Sequence, residues 1–365
     1  MKRLLCIISA MNAGGAETFL MKLYRKLDKT KYQMDFCVNE PKKGFYDEEI
    51  ESLGGKIYVI PSKSENIKRF KKGLFNVVEK NHYEYVLRVT SNAMGFYDLK
   101  VAKDAGAKRC IARSSNSSDG DGWKIKIAHI LGRMFYQKYV DIKLAPSDLA
   151  ARYTFGDKEY EKGSVKILHN AIDVDCFQYS ENSRKRIRNE FGISDDCYVV
   201  GHIGRISKQK NHDFIIDIFS DIVSKHPNSK LMLVGKGELE NQIRDKVDKL
   251  YLEDKVILTG VRSDIPALLS AFDVFLFPSL YEGMPNTVIE AQASGLPCII
   301  SDTITKEANI TGLVYYVPLN VSKKKWADIV LSFISKNRIN TKEEFLKEKY
   351  DIDSIVKEFE NIVFE

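Results

Sequence analysis

Short apolar runs of strand length alternate with helically periodic segments along nearly the whole chain, and this alternation limits the fold more than any other feature. Seven runs come first: LLCIIS, YQMDFCV, KIYVIP, YVLRVT, RCIAR, DIKLAPS and VKILHNA. After a polar interruption six more follow: YVVGHIG, KLMLVG, KVILTG, DVFLFPS, PCIISD and LVYYVP. Intervening segments such as ETFLMKLYRKL and ENIKRFKKGLFNVVEK carry apolar residues at helical spacing. Strands separated in this way pair in parallel, because a parallel pair needs a crossover connection. The expectation is an α/β chain of two doubly wound, Rossmann-like domains, and 365 residues suit two domains better than one. The boundaries read as 1–171 for the first domain, 172–196 for a charged linker, 197–345 for the second domain, and 346–365 for a terminal helix packing back across the domains. In open sheets of this kind ligands sit beyond the carboxyl ends of the strands, and a cleft between two such domains is the usual binding place.

Composition narrows the classes further. With 44% hydrophobic and 29% charged residues the chain is globular rather than disordered. Residues 1–180 carry 31 Lys/Arg against 22 Asp/Glu, while the remainder carries 25 against 28, so the net +6 is an asymmetry between halves. A basic first half points to a polyanionic or membrane-surface partner for that half alone. Nucleic acid is not expected, since no basic–aromatic motif appears. The six cysteines have no C-x-x-C spacing, which argues against a disulfide framework or zinc site and for a reducing cytoplasm. The opening MKRLLCIISAMNAGG is too short an apolar run for a secretory leader and reads as a first strand. No stretch approaches 18 apolar residues. The segment WKIKIAHILGRMFYQKYV mixes Lys124, Lys126, Arg133 and Lys138 with bulky apolar residues. As a helix it can bury one face in its own domain or lie at an anionic leaflet.

Three stretches fall where strand ends meet helix starts. In AMNAGGAETFL, Gly14 and Gly15 let backbone approach a ligand, and the helix start offers N–H groups to an anion; a plain tight turn fits equally well. In GHIGRISKQKN, Arg205 and Lys210 are two cations beside a helix N-terminus, suited to a diphosphate, unless they simply belong to a solvated basic loop. In YEGMPNTVIEAQASG, Glu282 lies in the loop after a strand, Gly283, Met284 and Pro285 form a turn, and Asn286 reads as a helix cap ahead of Thr287. Glu290 then lies one turn into the helix, so the two carboxylates stand about 12 Å apart. That spacing suits a nucleotide-sugar, with one carboxylate for sugar hydroxyls, one for the ribose diol and helix-start amides for phosphate. LVGKGELE lacks the third glycine of a dinucleotide-binding fingerprint.

The motifs GGAE, GR-x(4)-KN, and E-G-M-P-N-x(3)-E followed by A-x-A-S-G-L-P together resemble glycosyltransferase family four. HNAIDVDCF resembles that family's linker, with Ala171 in place of glycine, and GGAETFLMKLYRKLD is similar to capsular and exopolysaccharide members. The resemblance implies a GT-B fold and a retaining, metal-independent hexosyltransferase without a cofactor. Its donor would be a nucleotide-sugar, a UDP-sugar by preference, and its acceptor a lipid-linked or oligosaccharide glycan. The implied setting is the cytoplasm, peripherally at the inner membrane face. The resemblance further implies that Arg205 and Lys210 neutralise the diphosphate, that Glu282 faces the sugar, and that Glu290 holds the ribose. Gly283, Met284, Pro285, Asn286 and Thr287 would surround the phosphates, with Gly14 and Gly15 lining the opposite side.

Arg113, Ser115 and Asn116 occupy the place where polysaccharide relatives carry H-S-H-N, so these residues are the expected acceptor side, with Ser115 standing where a sugar-contacting His would be. Three D-x-D strings, Asp119-x-Asp121, Asp173-x-Asp175 and Asp351-x-Asp353, do not follow core strands, and no metal is expected. His169 and His202 border strand ends but are expected to be structural. Two other functions stay open at this point: a nucleotide-sugar epimerase of the same fold, and a non-catalytic nucleotide-sugar-binding subunit.

Overall fold

In the computed structural model, which describes residues 1–12, 14–115, 123–282, 284–334 and 337–365, the chain forms two compact units. The first comprises Met1–Ala171 with Lys349–Glu365, and the second Ile172–Glu348.

The first unit is built on seven parallel strands: β1 (Lys2–Ile7), β2 (Tyr32–Val38), β3 (Ile57–Val59), β4 (Tyr85–Thr90), β5 (Arg109–Ser114), β6 (Ile142–Ala145) and β7 (Val165–Ile167). Their order is β3-β2-β1-β4-β5-β6-β7, so the winding reverses between β1 and β4. β2 is buried along its whole length, including Asp35. That carboxylate is fully engaged by Arg3 Nε at 2.7 Å, Tyr83 Oη at 2.6 Å and the Lys56 N–H at 2.8 Å, as a buried charge requires. The last helix, Ile352–Phe364, packs against helix Gly15–Lys26 and belongs to this unit. Phe364 stacks on Tyr32 at 4.3 Å, and Arg109 donates to the Val363 carbonyl at 3.0 Å.

The second unit has six parallel strands: β8 (Tyr198–Ile203), β9 (Ser229–Val234), β10 (Val256–Gly260), β11 (Val274–Phe277), β12 (Cys298–Ser301) and β13 (Val314–Val317). Their order is β10-β9-β8-β11-β12-β13, with the reversal between β8 and β11. Residues 172–196 belong to this unit and carry two helices, Val174–Phe177 and Glu181–Glu190. The charges of the second helix are tethers: buried Arg188 donates to the Ala271 and Cys197 carbonyls and pairs with Asp273 at 2.7 Å. Gly201, midway along β8, is required by packing, since a Cβ there would fall 1.9 Å from the Phe272 ring. All thirteen apolar runs of the sequence are strands of these two sheets.

Candidate functional site

The sheet of the second unit reverses direction between β8 and β11, and the loops leaving these two strands carry Lys210 and Glu282. Beyond β8 the chain passes Gly204 to Ser207, makes one 3-10 turn over Lys208–Lys210, and enters helix His212–Lys225. Asn211 at the junction is left-handed, with φ 59° and ψ 41°, a conformation asparagine tolerates better than most residues. Its side-chain amide donates to the Pro278 carbonyl at 3.1 Å. Gln209 accepts from the Leu280 N–H at 2.8 Å and donates to the Tyr281 carbonyl at 2.9 Å. Three hydrogen bonds therefore fix the loop after β8 to the loop after β11.

These ties bring Lys210 Nζ to 2.8 Å from Glu282 Oε1 and 4.5 Å from the centre of the Phe277 ring. The two side chains keep only 17% and 10% of their exposure, so the pair is nearly dry. Underneath, His202 and His212 pack edge to face at 4.7 Å. Burial, reinforced by the nearby Lys210 charge, pulls His212 down to about 4 and His202 well below the usual imidazole range. Both rings are therefore neutral at ordinary pH, and His202 Nδ1 lies 2.9 Å from the Leu276 carbonyl. Ser279, also buried, anchors the end of β11 by accepting from Ser301 Oγ at 2.5 Å and Thr303 Oγ1 at 3.2 Å through its carbonyl.

Two glycines set the height of the β8 loop. At Gly235 (φ 137°) a Cβ would meet the Gly204 carbonyl oxygen at 2.2 Å, and at Gly237 the Ile206 oxygen at 2.0 Å. The glycines of LVGKGELE thus let two neighbouring loops touch backbone to backbone.

Arg205 is not gathered in with Lys210. It stays 73% exposed and pairs with Glu238, Nε and Nη2 each 3.1 Å from Oε2. Glu290 is half-buried at the fifth position of helix Asn286–Ala293. The cap of that helix is Pro285, with φ −79° and ψ 96°. Asn286, expected to cap it, is instead its first residue. Thr287 and Met284 are half-buried and Pro285 buried, while Gly283 lies outside the described residues.

In the first unit Gly14 caps helix Gly15–Lys26 with φ −95° and ψ 168°, so no left-handed backbone is needed there. A Cβ on Gly14 would meet the Glu17 carboxylate at 2.3 Å. Glu17, which the sequence reading did not single out, has its carboxyl pKa pushed up by burial. The acceptor-side expectation needs correction at Arg113. Its guanidinium is buried, 3.6 Å over the Phe19 ring, and donates to Asn170 Oδ1 at 2.8 Å and the Leu168 carbonyl at 3.3 Å. Desolvation pulls it down to about 9. It braces β5 against helix Gly15–Lys26 and presents no surface to a glycan. Ser115 is exposed, whereas Asn116, Asp119 and Asp121 lie outside the described residues. Of the other D-x-D carboxylates, Asp173 and Asp351 cap helices, and Asp175 pairs with Lys342 at 2.6 Å. Among the described residues no group of three His, Cys, Asp or Glu gathers as for a metal.

Residues 183–351 match the family described as glycosyl transferases group 1. The putative glycosyltransferase EpsF of Bacillus subtilis (strain 168) is 35% identical over 352 residues, covering 95% of this chain and 91% of that protein. The chain belongs to the group 1 glycosyl transferases. This glycosyltransferase is also 23% identical, over 302 residues, to the UDP-Gal:alpha-D-GlcNAc-diphosphoundecaprenol alpha-1,3-galactosyltransferase of Escherichia coli, covering 79% of this chain and 76% of that one. Among solved structures, Anabaena HepE in complex with UDP and glucose superposes with a TM-score of 0.78 at 16% identity, over 99% of both chains. The fold is GT-B.

Proposed function

We propose that this glycosyltransferase moves a sugar, with retention of anomeric configuration, from a nucleotide-sugar to a lipid-linked or oligosaccharide acceptor during capsular or exopolysaccharide synthesis at the inner membrane face. The carrying observation is the nearly dry Lys210–Glu282 pair at the strand-order reversal, with Glu290 on the helix that follows. A UDP-sugar is the favoured donor, in keeping with the UDP complex of HepE and the UDP-Gal named for the E. coli relative.

On arrival of the diphosphate, Lys210 exchanges the Glu282 carboxylate for phosphate oxygens. Glu282 is then released to accept hydroxyls of the donor sugar. Arg205, on its flexible stem, swings from Glu238 to the same diphosphate, and Glu290 accepts the ribose diol. Amides at Asn286 and Thr287 complete the anion cradle behind the Gly283–Pro285 turn. The anomeric carbon–phosphate oxygen bond breaks, and the acceptor oxygen bonds to that carbon on the same face. The acceptor proton passes to the departing phosphate oxygen, so no side-chain base is required. Developing charge on the nucleoside diphosphate falls on the cations and amides, so transfer runs without a metal and survives EDTA.

The test is incubation with UDP-, GDP- and ADP-sugars and a polyprenyl-diphosphate-linked glycan. Acceptor-dependent nucleoside diphosphate release, with an anomerically retained product by NMR, is the expected result. Formation of a 2-epimer, binding without turnover, or activity lost to EDTA and restored by Mn²⁺ would each refute part of the proposal.

A further inference from the structure

The loops at the carboxyl ends of β8 and β11 carry Lys210 and Glu282; the amino ends of the same two strands hold a second charged cluster. Asp273, directly before β11, accepts from Arg184 Nη2 at 2.8 Å through Oδ1, and through Oδ2 from Arg188 Nη2 and the Val199 N–H, each at 2.7 Å. One carboxylate thus serves two guanidinium groups. A third, Arg338, has no carboxylate among its described hydrogen-bond partners. Its Nη1 donates to the Ser294 carbonyl at 2.6 Å and the Ser294 hydroxyl at 2.7 Å, and its Nη2 to the Leu269 and Phe272 carbonyls at 2.7 and 2.6 Å. These carbonyls lie at the ends of helices Ile265–Ala271 and Asn286–Ala293, so Arg338 caps both. Capping alone leaves the charge unbalanced. Each helix end supplies about half a negative charge, which with Asp273 still leaves the three guanidinium groups about one charge in excess. Burial pulls Arg338 down to about 10.

A cavity of about 370 Å³ opens against this cluster, lined by Tyr179, Arg184, Asp273, Asn337 and Arg338, a size that suits a small ligand. An adjoining lobe of about 220 Å³ shares Arg184, Asp273 and Asn337 and adds the exposed Asp195 and Asp196. The Tyr179 ring, centred 5.1 Å from the Arg338 guanidinium carbon, walls one side. Among the described residues the Nε groups of Arg184 and Arg338 have no partner, so each retains an N–H for an incoming oxygen. We propose that this cavity binds a sugar phosphate, its phosphate between Arg184 and Arg338 and its hydroxyls toward Asp195 and Asp196. The phosphate supplies the missing counter-charge through charge-assisted hydrogen bonds from the guanidinium groups. The two aspartates accept from hydroxyls and repel a second anionic group, which gives the ligand one charged end and one hydroxylated end. The site lies at the opposite end of β8 and β11 from Lys210 and does not rest on the proposed function.

Full-length protein is titrated calorimetrically with glucose 1-phosphate and with inorganic phosphate, each with and without excess UDP to occupy a nucleotide site. Glucose 1-phosphate binds in the presence of UDP, and more tightly than inorganic phosphate. Asn337→Asp changes an exposed residue and sets a carboxylate in the cavity, so it weakens glucose 1-phosphate about tenfold or more. Asp195→Asn weakens glucose 1-phosphate roughly threefold and does not weaken inorganic phosphate. Neither variant lowers the melting temperature or the UDP affinity, which separates loss of the ligand from loss of the fold. No binding of glucose 1-phosphate at millimolar concentration, or binding undiminished by Asn337→Asp, overturns the inference. Equal affinity for the two probes overturns the sugar phosphate as ligand and assigns the cavity to free phosphate. Binding abolished by UDP also overturns it, since the probe then occupies the nucleotide site.

Discussion

Replacing Lys210 by Met separates what the Lys210–Glu282 pair does for folding from what it does for the donor. Glu282 keeps only 10% exposure, and Lys210 Nζ donates to its carboxylate at 2.8 Å. Removing the ammonium strands a carboxylate that water can scarcely reach. Breaking a fully buried pair costs about 3–5 kcal/mol, and the remaining exposure on both sides lowers this to roughly 2–4 kcal/mol. Glu282→Gln should cost less, about 1 kcal/mol, because an amide oxygen still accepts from Lys210. In the double variant the buried charge is gone, so stability returns toward wild type and the two changes couple by roughly 1.5–3 kcal/mol. Nucleotide affinity behaves differently. Losing a charge-assisted phosphate contact costs about 1.5–3 kcal/mol, roughly 10- to 100-fold in Kd, and the double variant recovers none of it. Urea unfolding followed through Trp326, in a Trp123→Phe background, reads the second unit alone, and titration calorimetry with UDP reads the site. A Lys210→Met change below about 0.5 kcal/mol, or recovery of UDP affinity in the double variant, would refute the reasoning.

Two further outcomes follow from the same region. His212 titrates near 4 in the folded protein, below its ordinary 6.5, so the unfolded chain takes up a proton first as pH falls. The second unit should therefore hold this stability above about pH 6.5 and lose it progressively toward pH 4, by roughly 3 kcal/mol. His212→Asn should flatten the slope of urea midpoint against pH, and an unchanged slope would sink the assignment. Gly237→Ala drives a methyl to within 2.0 Å of the Ile206 oxygen. It should destabilise the second unit by about 1–3 kcal/mol and weaken UDP binding by displacing the Arg205 loop, whereas Lys236→Ala should leave UDP binding unchanged. Equal UDP affinity in wild type and Gly237→Ala would contradict it.

How far the sequence could be read depended on the range of the interaction. Strand positions follow from local apolar runs and crossover geometry, and all thirteen are legible. The approach of Lys210 to Glu282 is half legible: each falls after a strand, but the ties from Gln209 and Asn211 that join the two loops are tertiary. The pairing of Arg205 with Glu238 has no local signal, since the partners come from neighbouring strand ends. Arg113 misled because a charged residue beside serines looks solvated, while its guanidinium in fact packs on the Phe19 ring. Asn286 missed the cap by one residue because the extended backbone of Pro285, with φ −79° and ψ 96°, already occupies that position and leaves Asn286 as the first helical residue. In helix Trp123–Tyr136 the apolar stripe is visible in sequence, but its outward direction follows only from Gly132 lying against Ala93.

A crystal structure of the complex with UDP tests the central claim most directly. The account predicts the diphosphate on Lys210, with the Lys210–Glu282 contact opened, and the ribose hydroxyls on Glu290. A nucleotide seated elsewhere, with Lys210 still paired to Glu282, would contradict it.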